Sequence, residues 1–188
     1  MQLIGIHGKA RSGKTSVATW LGKNRDAFAA AFADPIKQTI VNLFGLTWDY
    51  FHDAGLKEAP IHGIGRSPRY LAQSLGTEWG RDLVHPDIWV FAMQQYLAAG
   101  KVWGKLGQMI VIHDLRFENE AKWIREHGTV LHITRPGADG NVGIEGHASE
   151  AGIVPVAGDL LIRNDGSLED LYGALEALFK QPPEEHDA

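Results

Sequence analysis

The chain has 188 residues, a formal net charge of −5 and a pI near 6.0, with 44% hydrophobic and 22% charged residues. These values are typical of a single globular domain and argue against a nucleic-acid-binding protein, which usually carries a basic face. Cysteine is absent, which excludes disulfides and thiolate metal sites, and no apolar run approaches the roughly 20 residues of a membrane span. We therefore expect one domain over residues 1–188, located in the cytoplasm, without membrane contact or stable nucleic-acid binding.

The N-terminal part alternates between short apolar runs and helical patterns. Gln2–His7 is predicted as a strand buried on both faces, followed by a helix over Thr15–Lys23 and a second apolar run at Phe28–Ala33. Asp34 before Pro35 is predicted as the N-cap of the next helix, with the proline in its first turn. That helix is indicated by an apolar stripe formed by Ile36, Ile40, Leu43 and Phe44.

The middle and C-terminal parts continue the alternation after a different segment. Residues 46–107 contain glycines, tryptophans and helical fragments, and they are predicted as a mostly helical insertion beside the sheet. Residues 135–155 are rich in glycine and irregular. Three further apolar runs are predicted as strands: Met109–Ile112, Thr129–Thr134 and Asp159–Ile162.

Two more helices have recognisable ends. The helix Glu118–His127 is expected to stop at Gly128 in a left-handed conformation. The last helix begins at Ser167, with Asp170 as its capping-box partner. The apolar stripe predicted to be buried by this last helix consists of Leu168, Leu171, Leu175 and Leu178.

The order of strands and helices determines the expected fold class. Strands that alternate with helices form right-handed βαβ units and a parallel sheet covered on both faces. Five strands are predicted, so the chain is expected to be an α/β protein with three α/β/α layers.

A phosphate-binding loop follows the first strand. Its sequence matches the G-x-x-x-x-G-K-[ST] motif at every fixed position, and it lies between a predicted strand and a predicted helix. Glycines let the backbone N–H groups approach phosphate oxygens, the lysine contacts the β- and γ-phosphates, and the threonine hydroxyl ligates Mg²⁺. The predicted ATP phosphate site comprises Gly8, Lys9, Ala10, Arg11, Ser12, Gly13, Lys14 and Thr15.

Other candidate residues follow the remaining strands, because ligands bind at the carboxyl ends of strands in such sheets. Asp114 is predicted as the acidic Mg²⁺ ligand of a Walker-B strand, and Arg116 as a contact of the transferred or the acceptor phosphate. Asp34 is compatible with both a capping role and a place in the acceptor site. The alternative for Asp114 and Arg116 is that they are ordinary surface residues of a loop.

Arginines in the insertion provide a second candidate anion site. Arg66, Arg69 and Arg81 could clamp a phosphate, since guanidinium groups bind phosphate oxygens in bidentate geometry. Each of them could equally be a solvated surface charge.

Over nearly its full length, the chain resembles the deoxynucleoside monophosphate kinases of tailed bacteriophages. The phosphate loop alone is shared by many enzymes, but its combination with further segments is much more specific. Those segments are Ala33-Asp34-Pro35-Ile36-Lys37, the stretch from Arg69 to Glu78 (RYLAQSLGTE), Asp114 to Ala121 (DLRFENEA), Arg135-Pro136-Gly137, His147 to Gly152 (HASEAG) and Asn164 to Leu171 (NDGSLEDL).

The resemblance implies ATP-dependent phosphorylation of a deoxynucleoside 5′-monophosphate with Mg²⁺, on an adenylate-kinase-like core, and it admits a homodimer. It implies that Arg69 and Gln73 hold the phosphate and base of the acceptor, and that Asn164 lies near the adenine of ATP. It also implies that residues 135–155 form a mobile lid. The acceptor set on this basis is Asp34, Lys37, Arg66, Arg69, Gln73, Arg116 and Glu150, and the adenine-side set is Arg135 and Asn164.

Other functions remain open from the sequence. A related kinase could phosphorylate another acceptor, such as dephospho-coenzyme A or a modified base within DNA. A nucleotide-gated binding module would hydrolyse slowly and signal by its shape. GTPases of that kind usually carry an N-K-x-D segment, which this sequence lacks.

Overall fold

The computed structural model describes residues 2–102, 109–138 and 152–180. The strands are β1 Gln2–His7, β2 Ala27–Ala30, β3 Met109–Leu115, β4 Thr129–Thr134 and β5 Leu160–Arg163. The helices are α1 Lys14–Arg25, α2 Asp34–Phe44, α3 Asp49–His52, α4 Ala54–Glu58, α5 Pro68–Ser74, the π-helix Leu75–Val84, α6 Ile88–Val102, α7 Glu118–His127 and α8 Leu168–Leu178. All strand pairs are parallel, and the order in the sheet is β2-β3-β1-β4-β5.

Each face of the sheet has its own apolar core, because alternate residues of a strand point to opposite faces. On one face, Ile4 and Ile6 of β1 pack with Val17 and Leu21 of α1 and with Leu175 of α8. Helices α2, α6 and α7 cover the other face. The expected three-layer α/β/α fold with a five-stranded parallel sheet is confirmed.

The strand boundaries depart from the prediction at the carboxyl ends of β2 and β3. β3 continues through Leu115, so Asp114 lies within the strand and not after it. β2 ends at Ala30, although the apolar run continues to Ala33. The chain leaves the sheet there because the Asp114 carboxylate accepts hydrogen bonds from the backbone N–H groups of Phe32 and Ala33.

The predicted insertion is helical over its described part, 46–102, and contains a π-helix. The N–H of His85 donates to the carbonyl of Gly80 five residues earlier, at 2.9 Å. The indole N–H of Trp89 donates to the carbonyl of Gly76 at 2.7 Å. π-Helical turns are rare and frequently lie at functional sites. In the described ranges, no helix combines the length and apolarity that a membrane span requires.

The last helix is capped as predicted but buries a narrower stripe. The Ser167 hydroxyl accepts from the N–H of Asp170, whose carboxylate accepts from the N–H of Ser167. Of the four leucines predicted to be buried, Leu168 and Leu178 are exposed. The buried residues of the helix are Leu171 and Leu175, and the partly buried Tyr172 packs against the same core.

A network of charged side chains fastens the segment before β5 to the sheet. Asp159 accepts hydrogen bonds from Arg125 of α7 and is 2.9 Å from Nε2 of His132 in β4. Burial acts to raise the pKa of Asp159, but bonds from Arg125, the N–H of Val156 and His132 outweigh it and lower that pKa to about 2. The carboxylate is therefore charged at neutral pH and holds these groups together.

Gly128 was expected to be left-handed, and that prediction is wrong. Its φ of −177° and ψ of −140° are extended. A Cβ atom at this position would lie 2.0 Å from the carbonyl oxygen of Leu3. Glycine is required because the backbones of β1 and of the α7–β4 turn approach closely.

We predict that Gly128→Ala destabilises the protein by about 2–3 kcal/mol or more, since the new methyl group collides with rigid backbone. Gly173→Ala is the matched control, because a Cβ there meets nothing within 4 Å and position 173 lies within a helix. That change should stabilise by about 0.5–1 kcal/mol. Urea denaturation of both variants measures the difference, and equal stabilities would contradict the explanation for Gly128.

Candidate active site

The phosphate loop joins β1 to α1 and has the backbone geometry of an anion site. Arg11 has a φ of 62° and Gly13 a φ of 112°, so the chain turns through left-handed positions before α1. A Cβ on Gly8 would lie 2.4 Å from the carbonyl oxygen of Ile133, and one on Gly13 would lie 2.7 Å from Nδ2 of Asn164. Both glycines are needed for packing as well as for access to the ligand. The loop ends at the N-terminus of α1, where no side chain caps the free N–H groups.

The ammonium group of Lys14 lies across this loop. It donates to the carbonyls of Gly8 and Lys9 at 2.5 and 2.6 Å. Burial and the positive charge of Arg116 lower the pKa of Lys14, Asp114 opposes the shift, and the net pKa is about 8. The structure therefore brings Lys14, Asp114 and Arg116, three of the candidate residues, into one electrostatic environment.

Asp114 organises the neighbouring loop. Its Oδ1 accepts from the N–H of Phe32 at 2.7 Å, and its Oδ2 from the N–H of Ala33 at 3.0 Å. Two carboxylate oxygens offer about four lone-pair positions, so these bonds leave acceptor capacity for a cation. Thr15 is exposed in the first turn of α1. A carboxylate and a hydroxyl are hard oxygen ligands that suit Mg²⁺.

Asp34 is not the N-cap that the sequence indicated. It is the first residue of α2, whose N-cap is Ala33. Its Oδ2 accepts from the N–H of Ala31 at 2.9 Å, and its Oδ1 lies 3.5 Å from Nζ of Lys37. The side chain therefore reaches back to the preceding turn and not forward to Ile36 or Lys37, whose N–H groups an N-cap at position 34 would bond.

A cavity of about 220 Å³ lies between the ends of β2 and β3 and the helices of the insertion. Of the predicted acceptor residues, Lys37, Arg69, Gln73 and Arg116 line it, together with Asp114. Its apolar walls include Phe32, Ile36, Phe51 and Ala72. Arg66 lies outside this lining, with its guanidinium 4.6 Å from the centre of the Tyr70 ring. Arg69 also bonds Glu58 at 2.5 Å.

Lys57 is a lining residue that the sequence analysis missed. Burial lowers its pKa, and the positive charges of Arg69, Lys37 and Arg116 lower it further, against the effect of Glu58. Its position in a short helix carries no motif that distinguishes it from a surface lysine. The cavity thus gathers five cationic side chains in a protein of net charge −5, namely Lys37, Lys57, Arg69, Arg81 and Arg116.

Arg81, considered as a phosphate clamp from the sequence, also lines this cavity, but its guanidinium is bonded to groups of the protein. Its guanidinium donates to Glu120 at 2.7 Å and to the carbonyl of Gly76 at 2.8 Å, and it lies 3.9 Å from the centre of the Phe117 ring. Glu120 is 1% exposed and also accepts from the backbone N–H groups of Arg116 and Phe117. The pair connects the insertion to the Arg116 backbone.

Glu120 has a strongly shifted pKa. Burial and the negative charge of Asp114 raise this pKa, the N–H groups of Arg116 and Phe117 and the positive charge of Arg81 lower it, and the net pKa is about 7. The sequence analysis did not predict that Glu120 is buried and bonds Arg81, since it looks like an ordinary polar residue in the first turn of α7.

The residues predicted on the adenine side separate into two positions. Asn164 is buried, and its amide donates to the carbonyl of Ser12 at 2.8 Å, so it holds the phosphate loop. Arg135 is exposed and lines a second cavity, of about 370 Å³, beside Gly8 and Lys9. Glu150 lies outside the described residues, as does most of the predicted lid at 135–155, of which 135–138 and 152–155 are described.

The chain is similar to several known proteins. The family model described as deoxynucleotide monophosphate kinase matches residues 65–175. The deoxynucleotide monophosphate kinase of Enterobacteria phage T4 is 39% identical and aligns with 96% of this chain and 99% of its own length. That of Escherichia phage RB69 is 35% identical over 61% of this chain and 45% of its own. A protein of Acanthamoeba polyphaga mimivirus named for the same activity is 29% identical over 93% of this chain and 94% of its own.

Among solved structures, an unliganded sugar kinase from Janibacter sp. HTCC2649 aligns with a TM-score of 0.47 at 15% identity, over 94% of this chain and 93% of that chain. A likeness at this level says nothing about function. The family match covers more than half of the chain and includes the Arg69 and Arg116 segments of the cavity. The chain belongs to the deoxynucleotide monophosphate kinase family.

Proposed function

We propose that this protein transfers the γ-phosphate of ATP to a deoxynucleoside 5′-monophosphate and forms the diphosphate. The observation that carries the proposal is the position of Arg116. Arg116 lines the acceptor cavity together with Lys57, and its positive charge also lowers the pKa of Lys14 in the phosphate loop. A guanidinium group between two anion sites is well placed to neutralise the phosphoryl group that passes from one to the other.

The chemistry needs little beyond alignment and charge. The phosphate of the acceptor has a second pKa of about 6 and is mostly ionised at neutral pH, so no general base is required. Lys14 would contact the β- and γ-phosphates, and Arg116 would hold the phosphoryl group. Thr15 and Asp114 would hold Mg²⁺, which supplies neutralisation of the phosphate oxygens when bound.

In the acceptor cavity, we assign the nucleotide phosphate to Lys37, Lys57, Arg69 and Arg116. Gln73 is proposed to contact the base, since an amide offers both a donor and an acceptor. The apolar walls provide surface for the sugar and the base. Residues 46–107 would then be the acceptor-binding insertion of a single kinase domain.

The proposed ATP site extends from the phosphate loop towards the second cavity. Arg135 is proposed to contact ATP there, and Asn164 to act by holding the phosphate loop, because its amide is already bonded to Ser12. Residues 135–155, with Glu150, are proposed as a lid that would exclude water and so suppress ATP hydrolysis. Cytoplasmic location, a homodimer and the absence of stable nucleic-acid binding stay predictions.

An acceptor panel tests the function directly. With ATP and Mg²⁺, at least one of dAMP, dCMP, dGMP and dTMP should stimulate ADP release well above the rate with ATP alone. Ribonucleoside monophosphates and dephospho-coenzyme A serve as comparison acceptors. If no deoxynucleotide stimulated release, the proposed function would be wrong, and slow release indifferent to every acceptor would indicate a nucleotide-gated module.

The acceptor site is tested by a pair of arginine variants. Arg69→Ala should raise KM for the deoxynucleotide by about tenfold or more, because a charged hydrogen bond to phosphate contributes about 1.5–3 kcal/mol. Arg66→Ala is the control, since Arg66 lies outside the cavity lining. Steady-state kinetics measure both, and equal changes in KM would remove the assignment of this cavity.

The pKa of Lys14 predicts how ATP binding depends on pH. A bound triphosphate raises the pKa of Lys14, whereas the free enzyme holds it at about 8. Below that pH the lysine is already charged, so the affinity for ATP does not change with pH. Above it, binding requires proton uptake, so the Kd should rise with pH by up to about tenfold per unit.

Lys14→Ala provides the control for this measurement. This variant should bind ATP weakly, and its Kd for ATP should not rise with pH above pH 8. Its kcat should fall by about a hundredfold or more, while its thermal unfolding curve stays unchanged. Isothermal titration across this pH range makes the comparison. A rise of Kd with pH that persisted in the variant would assign the titration to another group.

A further inference from the structure

The pairing between β1 and β3 is irregular at its carboxyl end. Gly5 is opposite Ile112, but His7 is opposite Leu115, so three residue steps of β3 face two of β1. An extra residue of this kind forms a β-bulge, which bends the strand and redirects a side chain. Bulges are rare between parallel strands and common next to active sites. Here the extra residue falls at His113–Asp114, directly before Arg116.

The imidazole ring of His7 contacts the backbone at this bulge and in the segment before β5. Its Nδ1 is 3.1 Å from the carbonyl oxygen of Leu115, the residue between Asp114 and Arg116. Its Nε2 accepts a hydrogen bond from the N–H of Ile153 at 3.2 Å. Because Nε2 accepts, the ring is neutral and its proton lies on Nδ1, which donates to Leu115.

Three further groups surround the ring and act on its charge. Burial lowers the pKa of His7, and the bond to Leu115 raises it. His132, 5.3 Å away between ring centres, and Lys14 lower it, whereas Glu118 raises it. The net lowering agrees with the neutral tautomer that the two hydrogen bonds require.

We propose that His7 is a positioning residue for phosphoryl transfer. By bonding the Leu115 carbonyl, it keeps the bulge in the conformation that directs Asp114 to the β2–α2 loop and Arg116 into the cavity. His7 immediately precedes Gly8, so the same residue relates the phosphate loop to the Asp114–Arg116 segment. Its bond to Ile153 ties both to the segment that Asp159 fastens to the sheet.

The first test uses kinetics and rests on the transfer reaction proposed above. His7→Leu should lower kcat by about ten- to a hundredfold, because small displacements of aligned groups are costly. KM for ATP and for the deoxynucleotide should change by less than about threefold, as expected for a loss confined to the transition state. A raised KM with an unchanged kcat would overturn the proposal.

Two polar variants separate positioning from general packing. His7→Asn retains a donor near the place of Nδ1 and should recover most of kcat, whereas His7→Gln extends its amide towards Ile153 and should not. If His7→Leu fails to fold, the difference in kcat between His7→Asn and His7→Gln tests the proposal by itself. His127→Asn is the control, since His127 also bonds a backbone carbonyl, that of Trp123, but lies outside both cavities. Its kcat should be unchanged, and equal losses in all His7 variants would contradict the proposal.

A second test does not depend on activity. Asp114 accepts from the N–H groups of Phe32 and Ala33, so hydrogen exchange of these two amides reports the direction of its side chain. Exchange should be faster in His7→Leu and His7→Gln and return towards the wild-type rate in His7→Asn. Unchanged exchange in every variant would overturn the role of His7, whereas wild-type enzyme without acceptor-dependent turnover would refute the proposed reaction alone.

Discussion

Repulsion between positive charges is the constraint on which the site depends. Arg116 lies close enough to Lys14 and to Lys57 to lower the pKa of both, and each lysine is also partly withdrawn from water. Without a ligand, this crowding costs free energy that the two apolar cores must offset. An anion in either place relieves it, because each phosphate supplies the charge that the cations lack. In the proposed reaction, the phosphates of ATP and of the acceptor would supply this negative charge on either side of Arg116.

The parallel sheet brings the segments of the site together and holds them in place. All five strands are parallel, so the phosphate loop, the Asp114–Arg116 segment and the β2–α2 loop meet at one edge. Buried polar groups then fix each piece. Asp114 holds the amides of Phe32 and Ala33, Glu120 holds the amides of Arg116 and Phe117, and Asn164 holds the carbonyl of Ser12. Loops fixed by side-chain to backbone bonds can carry crowded charges without rearranging.

The sequence predicted the elements well where a short pattern has one physical cause. The phosphate loop, the capping box at Ser167 and the boundaries of β1 and β4 follow from local backbone chemistry. Prediction failed where the local conformation differs from the usual outcome of the pattern. Asp34 lies inside α2 because the helix begins one residue earlier than predicted, and its carboxylate bonds the N–H of Ala31. Gly128 is extended because Leu3 lies against it.

The sequence by itself determined the fold class, the ATP phosphate loop and the family resemblance, since these are written in residues close together along the chain. Only the tertiary structure decided that Lys57 and Arg69 face the cavity while Arg66 does not, and that Arg81 bonds Glu120 across 39 positions. It also decided that His7 contacts Leu115, 108 positions away. These contacts depend on which strands become neighbours in the sheet. The spacing of residues along the chain predicts only which side chains share a face of one helix or strand.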